Sequence, residues 1–209
     1  MNKDDLLLKL NLYATAPDDD NIRFKEMIKG ALLTCPELLY ALHNKEYESE
    51  LFDDEGNINV EYDEHGELVE VYGDWSLYYN DNIKPYLFLP ETQTTSKHYL
   101  CYKAGFREIP RFNSVDKIMQ VTFVVLCDNK DAIDKETGIA RHDLIGSIIR
   151  ERFNWSNIFG LQCKLVSNEE STTDTNYITR TLVFESTIPN SVVKTENGIT
   201  QFINNQVRR

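Results

Sequence analysis

The loop at residues 128–136 holds the densest group of side chains that could carry out chemistry. It contains three aspartates and one glutamate: Asp128, Asp131, Asp134 and Glu136. Closely spaced carboxylates can hold Mg²⁺ for phosphodiester hydrolysis, which makes this loop the candidate site of a small metal-dependent nuclease. A solvated loop after a strand accounts for the same residues, because no lysine or second carboxylate-bearing strand is correctly placed to complete a site. We favour the solvated loop and keep the nuclease as an alternative.

A second group of reactive side chains lies at Arg141-His142-Asp143, with Ser147 nearby. An acid, a histidine and a serine are the residue types of a hydrolase triad. The same residues begin a segment with an apolar stripe, where an aspartate as a cap or first-turn acid and an arginine on the surface are routine. The sequence also has no glycine-rich phosphate loop and no G-x-S-x-G motif. We therefore expect no catalytic residues and no enzymatic activity.

Metal-ligand spacing is absent among the histidines and the cysteines. The histidines share no such spacing with one another: His43, His65, His98 and His142. The cysteines lie far apart in apolar segments and form no C-x-x-C pair: Cys35, Cys101, Cys127 and Cys163. Cysteines in this setting are typical of small buried hydrophobes in a reducing compartment. The sequence thus predicts no metal site and no cofactor.

An Asp-x-x-Gly step occurs twice, at Asp53–Gly56 and at Asp63–Gly66. Aligning Gly66 with the invariant glycine of a calcium-binding loop places Tyr72 where a bidentate glutamate is required. The pattern instead indicates a solvated, protruding β-hairpin with strands at residues 58–62 and 68–72. The charges of this hairpin would limit edge-to-edge association.

The elements that must position these side chains run from Lys117 to Phe153. Strict alternation predicts a central strand at Lys117–Cys127, and apolar residues three and four positions apart predict a helix at Asp143–Phe153. We expect the helix stripe to pack on the strand face formed by Met119, Val121, Phe123, Val125 and Cys127. Further strands are predicted at 86–89, 97–103, Gln162–Val166 and Tyr177–Ser186, with a polar hairpin loop at 168–176.

The negative charge of the chain is concentrated in one module. The net charge is −12, and residues 46–81 hold 13 aspartates and glutamates with no lysine or arginine. The rest is near neutral, with 21 acidic residues out of 34 and all 22 basic residues. Such a module repels phosphates, so we expect no sequence-specific binding of nucleic acid, although DNA could slide past it. No apolar run approaches the ~20 residues of a membrane span, so no membrane partner is expected.

These patterns predict an α+β fold: a mostly antiparallel sheet packed against one central helix, with N-terminal helices and an inserted acidic β-hairpin. Hydrophobic residues make up 41% and charged residues 27% of the chain, which is an ordinary globular balance. We divide the chain into an N-terminal helical segment (1–45), the hairpin insertion (46–81), an α+β core domain (82–190) and a C-terminal arm (191–209) with a short helix near Ile199–Ile203.

Two surfaces are candidates for contacts with other molecules. One joins the end of the central helix, the loop after it and the C-terminal arm: Arg150, Arg152, Trp155, Phe159, Ile199, Phe202 and Ile203. The other is an acidic channel or surface on the hairpin module: Asp53, Asp54, Glu55, Glu61, Asp63 and Glu64. The N-terminal helices also carry apolar stripes, so each must dock on the core domain or on another chain.

The order of these elements resembles the tail-terminator and tail-completion proteins of tailed bacteriophages. The residues that carry the resemblance are the strand Val121–Cys127, the turn Thr137–Asp143 leading into the helix Leu144–Phe153, and the closing strand Thr181–Glu185. The resemblance covers residues 85–190, about half of the chain. The N-terminal helices and the acidic hairpin exceed the compact domain of that family.

The resemblance implies a structural protein of the virion, assembled in the host cytoplasm. Its copies would form a ring, expected to be hexameric, that stops growth of the tail tube and joins it to the neck while leaving a channel for DNA. The implied partners are further copies of this chain, the tail tube protein and a neck or connector protein. The alternatives are another head–tail connector or head-closure adaptor, the small nuclease, and an unrelated α+β binding module.

Overall fold

The structure is a computed structural model. It describes the chain apart from residues 1, 16–19, 66, 67, 89, 91–95, 108–115, 161, 174, 175, 190, 191, 195–199 and 203–209. For residues 12–15, 20, 189, 192–194 and 200–202, which lie in helices or strands, it describes the backbone alone.

The helices confirm the predicted N-terminal helical segment and the central helix. They are α1 (Lys3–Thr15), α2 (Asp20–Leu33), α3 (Pro36–Ala41), α4 (Glu48–Leu51) and α5 (Arg141–Phe153), with 3₁₀ turns at Trp75–Tyr78 and Asn129–Asp131. Pro36 occupies the first turn of α3, where backbone N–H groups have no partner within the helix. The N–H that proline lacks is therefore not needed there. The central helix α5 begins at Arg141, and Asp143 lies in its first turn while Ala140 is the N-cap residue.

The strands form one five-stranded sheet and two short hairpins. They are β1 (Val60–Tyr62), β2 (Leu68–Val71), β3 (Ile83–Lys84), β4 (Tyr99–Phe106), β5 (Asp116–Asp128), β6 (Lys164–Thr172), β7 (Tyr177–Pro189), β8 (Val192–Lys194) and β9 (Thr200–Phe202). The main sheet has the order β3-β4-β5-β7-β6. Its pairs are antiparallel except β3 with β4, which confirms the predicted α+β fold with a mostly antiparallel sheet.

The core lies between the helices and one face of this sheet. The predicted face of β5 is fully buried there, together with the α5 side chains Ile145, Ile149 and Phe153. The Phe123 ring is packed between aromatic neighbours, with its centroid 4.7 Å from that of Phe153 and 5.7 Å from that of Phe184. The expectation that the α5 stripe packs on this strand face is confirmed.

Helices α2 and α3 dock on the same core, and the acidic module is attached to it. Gly73 follows β2, and a Cβ atom at this position would lie 1.9 Å from the carbonyl oxygen of Glu50 in α4. The indole nitrogen of Trp75 donates to that same carbonyl at 2.9 Å, and Trp75 is itself buried. The chain therefore needs glycine where the hairpin returns to the core.

Three sequence predictions of local structure are wrong. The strand predicted to end at Val166 continues to Thr172 as the edge strand β6, through residues predicted as a loop. The strand predicted at 86–89 does not form at residues 86–88, with residue 89 outside the described residues, and the short β3 pairs with β4 instead. The helix predicted near Ile199–Ile203 is replaced by the β8–β9 hairpin, with Ile199 and Ile203 outside the described residues. In β6 the reason is physical: most of its side chains are exposed, so no apolar alternation marks it, while β7 supplies its backbone bonds.

Truncating Phe123 to alanine should lower the free energy of unfolding by about 3–5 kcal/mol, because it opens a cavity among rings that cannot close over it. Leu8→Ala is the control: Leu8 lies on α1 and is 66% exposed, so the free energy of unfolding should change by less than about 0.5 kcal/mol. Urea denaturation followed by circular dichroism measures both. Equal losses for the two variants would contradict the placement of the core.

Candidate functional site

The first turn of α5 gathers buried charged and polar side chains from four parts of the chain. Arg141 and His142 are 2% and 5% exposed, and His98, which immediately precedes β4, is 1% exposed. The expectation that Arg141 lies on the surface is wrong. Two networks meet here, one around Arg141 and one around Arg180.

The Arg141 network surrounds a guanidinium whose charge is almost entirely withdrawn from water. Its Nη2 lies 3.4 Å from Asp131 Oδ2 and 3.3 Å from Asp134 Oδ1. Its Nη1 donates to the carbonyl oxygen of Ala41 at 3.2 Å, and its Nε donates to the carbonyl oxygen of Asp131 at 3.3 Å. A buried charge is tolerated when it is both paired and hydrogen-bonded, and Arg141 meets both conditions.

Asp131 also forms hydrogen bonds with two histidines in this network. Its Oδ2 lies 2.7 Å from His43 Nδ1 and 3.2 Å from His98 Nε2. The Nδ1 atom of His98 accepts the backbone N–H of Asp128 at 3.3 Å, which assigns the proton of this ring to Nε2. Both nitrogens of His98 are therefore used within the protein. A metal ion at Nε2 would leave this ring without a proton on either nitrogen, which is unfavourable. We therefore interpret His43, His98 and Asp131 as a hydrogen-bonded cluster with a structural role and not as a metal site.

The pKa values in this network follow from burial and pairing. Burial lowers the pKa of His98 and outweighs the hydrogen bond to Asp131, so the ring is neutral at neutral pH. Burial alone would raise the pKa of Asp131, but hydrogen bonds from His43 and His98 and the charge of Arg141 lower it overall. The network thus holds the Asp131 carboxylate and the Arg141 guanidinium as ions beside the neutral ring of His98.

The carboxylates that suggested a nuclease are engaged with the chain itself. Asp134 accepts the backbone N–H and the hydroxyl of Thr137, which lower its pKa. Asp128 accepts the backbone N–H of Lys130. Glu136 accepts the hydroxyl of Tyr40 at 3.1 Å. These contacts stabilise the loop, and they give the nuclease alternative no support.

The Arg180 network joins α5 to the last two strands of the sheet. The Nη2 atom of Arg180 donates to Asp143 and, at 3.2 Å, to Glu170, while Nη1 donates to Asn168 Oδ1 at 2.9 Å. The side chain reaches these partners by crossing α5 at Gly146, where a Cβ atom would lie 2.6 Å from Arg180 Cδ. The absence of a side chain at Gly146 therefore makes room for the Arg180 side chain.

His142 lies beside this second network without joining it by a hydrogen bond. Neither of its ring nitrogens has a hydrogen-bond partner among the described residues, and both are inaccessible to solvent. Its Nε2 lies 3.4 Å from Glu170 Oε2 and 3.6 Å from Asp143 Oδ1.

Neither network was foreseen from the sequence. His43 lies 88 positions from Asp131, and Arg141 lies 100 positions from Ala41. Glu170 stands opposite Arg180 only because β6 extends through the predicted loop. The acidic loop and the cluster Arg141-His142-Asp143 were the sequence signals that pointed to this region, and both suggested a different chemistry.

The thiols are all buried, as the sequence predicted. Burial raises the pKa of Cys127 to about 12 and those of the other three to about 11: Cys35, Cys101 and Cys163. Thiols in this state are neutral and packed as small hydrophobes.

All six predicted residues of the acidic surface are exposed: Asp53, Asp54, Glu55, Glu61, Asp63 and Glu64. Asp53 and Asp63 also stabilise turns, by accepting backbone N–H groups two residues ahead. Glu61 stands directly opposite Glu70 in the β1–β2 hairpin. Like charges directly opposite each other destabilise a hairpin. The glutamates at these positions therefore do not serve to stabilise the hairpin.

The predicted contact surface is only partly exposed. Arg150 and Arg152 are exposed, although Arg152 donates to Thr34 at 3.0 Å. Trp155 is 58% exposed and has a φ of +64°, a conformation that is unusual for a bulky residue. Phe159 is 7% exposed and belongs to the core, so its assignment to this surface is wrong. Ile199 and Ile203 lie outside the described residues, and Phe202 ends β9 with no side chain described.

A further apolar surface lies on α1. Every described side chain of this helix, from Lys3 to Asn11, is exposed. Four of them are leucines with 45%, 48%, 66% and 60% of their surface exposed: Leu6, Leu7, Leu8 and Leu10. Helices α2 and α3 bury their stripes in the core, whereas α1 leaves these leucines without cover from the described part of the chain.

The comparison with protein-family models matches residues 36–186 to YomW, which is more than half of the 209 residues. The chain belongs to the YomW family. This family is phage-derived, in agreement with the phage origin that the resemblance implied. The YomW match includes both networks and the whole main sheet up to Ser186 of β7, and α1 lies outside it. A comparison with curated proteins gave no match.

Among the described residues of this YomW-family chain, no helix combines the length and the apolar character needed to cross a bilayer.

Lowering the pH should destabilise this YomW-family chain in two steps. Unfolded His98 takes up a proton near its ordinary pKa of 6.5 while the folded state resists it, so stability falls as the pH drops below that value. Asp131 adds a loss below its ordinary pKa of 3.8, as its lowered folded pKa is approached. His98→Gln keeps a donor to Asp131 and should remove the first step. Chemical denaturation at several pH values measures this.

The control for this experiment is His65→Gln on the hairpin, because the His65 side chain is 76% exposed. A His98→Gln profile with the slope of the unmodified protein between neutral and mildly acidic pH would contradict the assignment of a buried neutral ring.

Two glycine-to-alanine substitutions in helices should change stability in opposite directions. Gly146→Ala should lower the free energy of unfolding by about 1–3 kcal/mol, because the new methyl group collides with Arg180 Cδ. Gly30→Ala in α2 should raise it by about 0.5–1 kcal/mol, because nothing lies within 4 Å of the added atom and alanine favours the helix. Urea denaturation measures both, and stabilisation by Gly146→Ala would contradict the path assigned to Arg180.

Proposed function

We propose that this chain is a structural protein of a phage particle whose copies form a ring at the end of the tail tube. The ring stops growth of the tube and joins it to the neck, and it leaves a channel through which DNA passes. The observation that carries this proposal is the row of exposed leucines on α1. The partners are neighbouring copies, the tail tube protein and a connector protein of the neck.

The exposed leucines support a docking role because a helix of this length gains little from its backbone alone. Helix α1 has 13 residues, and isolated helices of that size are marginal in water. Most helical stability in proteins comes from burying an apolar face, which the described part of this chain does not provide for α1. Leu6 and Leu10 are four residues apart and therefore lie on one face of α1, and exposed apolar surface of this kind is typical of an interaction site.

A second copy of the chain is the occupant that we assign to this helix. The chain carries both signs of charge on exposed surfaces, with basic Arg150 and Arg152 at the end of α5 and the acidic residues of the hairpin module. Two copies in a head-to-tail contact can place the arginines of one copy against part of the acidic module of the next, while the remaining carboxylates of that module face the channel. Head-to-tail contacts between identical subunits close into rings when the rotation between them allows it.

The charge of the acidic module (residues 46–81) supports the proposal that the ring leaves a channel for DNA. Its exposed carboxylates include the opposed pair Glu61 and Glu70, which weakens the hairpin. A negative surface lets DNA pass without binding, because phosphates are repelled and no counterions are released. The buried networks at α5 fit the same role, since they use their charged groups inside the protein to hold a rigid subunit.

Size-exclusion chromatography with light scattering tests the assembly. We expect the unmodified protein to form multimers as its concentration rises and a Leu6→Glu/Leu10→Glu variant to remain a monomer. At a dilution where both are monomers, their thermal unfolding should be the same, because both leucines are exposed. Lys9→Glu is the matched control, because it adds negative charge to the same exposed helix without removing a leucine.

Binding to purified tail tubes gives the second readout. The unmodified protein should bind tube ends, as seen by electron microscopy, and the double variant should not. A strict monomer at high concentration that also fails to bind tube ends would contradict the proposal.

A further inference from the structure

His142 is the one residue in the described part of the chain with two buried side-chain atoms that lack a hydrogen-bond partner, whereas Tyr177 and Arg180 each leave one such atom. His142 is 5% exposed, and neither ring nitrogen has a hydrogen-bond partner among the described residues. A buried donor or acceptor without a partner destabilises the folded state, so such groups are rare and call for an explanation. His98 provides the contrast, because both of its nitrogens are bonded within the protein.

Two carboxylates face the Nε2 atom of His142. Glu170 Oε2 lies 3.4 Å away and Asp143 Oδ1 lies 3.6 Å away, and the three atoms lie within 4.8 Å of one another. Zinc bonds to histidine nitrogen and carboxylate oxygen at about 2.0–2.2 Å, so two ligands of a tetrahedral site lie roughly 3.3–3.6 Å apart. The two separations measured from His142 match that edge length without movement of the backbone.

We propose that His142, Asp143 and Glu170 bind a divalent transition-metal ion of the zinc class. Imidazole nitrogen favours zinc and its neighbours over magnesium and calcium, and the two carboxylates supply the charge that balances the ion. Three protein ligands leave the fourth tetrahedral position to a water molecule. The ion would join the first turn of α5 to the edge strand β6, and it would give the Nε2 atom of the buried ring a partner.

Arg180 competes with the ion for the same oxygens. Its Nη2 donates to Asp143 Oδ1 and to Glu170 Oε2, which are the carboxylate atoms nearest His142. The guanidinium must leave these atoms before the metal binds, and its bond from Nη1 to Asn168 Oδ1 at 2.9 Å gives it a partner farther along β6. Metal affinity in the unmodified protein is therefore weaker than the ligand set alone would give, and removal of the arginine should increase it.

The test is titration of the full-length protein with Zn²⁺ by isothermal calorimetry, in the presence of excess Mg²⁺ to occupy exposed acidic groups. We expect one saturable site. Glu170→Gln should weaken it by roughly ten- to a hundredfold, a loss seen even when an outer-shell partner of a metal is removed. Glu169→Gln is the matched control: this residue is also exposed on β6 but stands opposite Thr181, on the other face of the strand.

Two further measurements separate this site from zinc held by surface acids. Arg180→Gln should bind Zn²⁺ more tightly than the unmodified protein, because the competing charge is gone. Nitrogen-15 spectra of the histidine rings should show the metal on Nε2 of His142. Absence of a saturable site, equal affinities in the Glu170→Gln and Glu169→Gln variants, weaker binding in Arg180→Gln, or a His142 signal unchanged by zinc would each overturn the proposal.

Discussion

The buried guanidinium of Arg141 is the contact on which the arrangement of this molecule depends. A positive charge at the start of a helix opposes the helix dipole, so it is tolerated only with strong compensation. Asp131 and Asp134 supply that compensation, and the carbonyl of Ala41 extends the contact to the end of α3. One side chain therefore holds the acidic loop, the central helix and the end of α3 together. Loss of any partner would leave a charge buried without its pair, which is strongly destabilising.

The parts of the fold that follow from the sequence are those whose apolar pattern records burial. Strand β5 and helix α5 were predicted almost to their ends, because Phe123 and Ile149 belong to regular stripes that face a common core. Strand β6 escaped prediction because an exposed edge strand leaves no such stripe. The burial of Arg141 also escaped, since its partners lie at distant positions and a charged residue at a helix start is usually exposed. The periodicity of apolar residues predicts which face of a helix or strand is buried. It does not predict which polar groups form hydrogen bonds or ion pairs with one another.

The charged groups of the chain divide into two sets with different roles. Arg141 and its carboxylate partners at the start of α5 are largely withdrawn from solvent and paired within the protein, so they stabilise one arrangement of helix and loop. Those of the acidic module are exposed, and the pair Glu61 and Glu70 stands in a position that weakens its own hairpin. A rigid interior combined with charge and leucines on the outside is what a repeated building block requires, because its contacts with neighbours must form without rearrangement of its core.

The central claim is that α1 completes its packing only against another copy of the chain. Hydrogen–deuterium exchange at increasing protein concentration tests this most directly, because exchange reports local opening of each helix. The account predicts that the amides of Lys3–Thr15 exchange rapidly in dilute solution and become protected as the concentration rises, while those of Met119–Cys127 are protected throughout. Strong protection of α1 in dilute monomer, or none at any concentration, would contradict it.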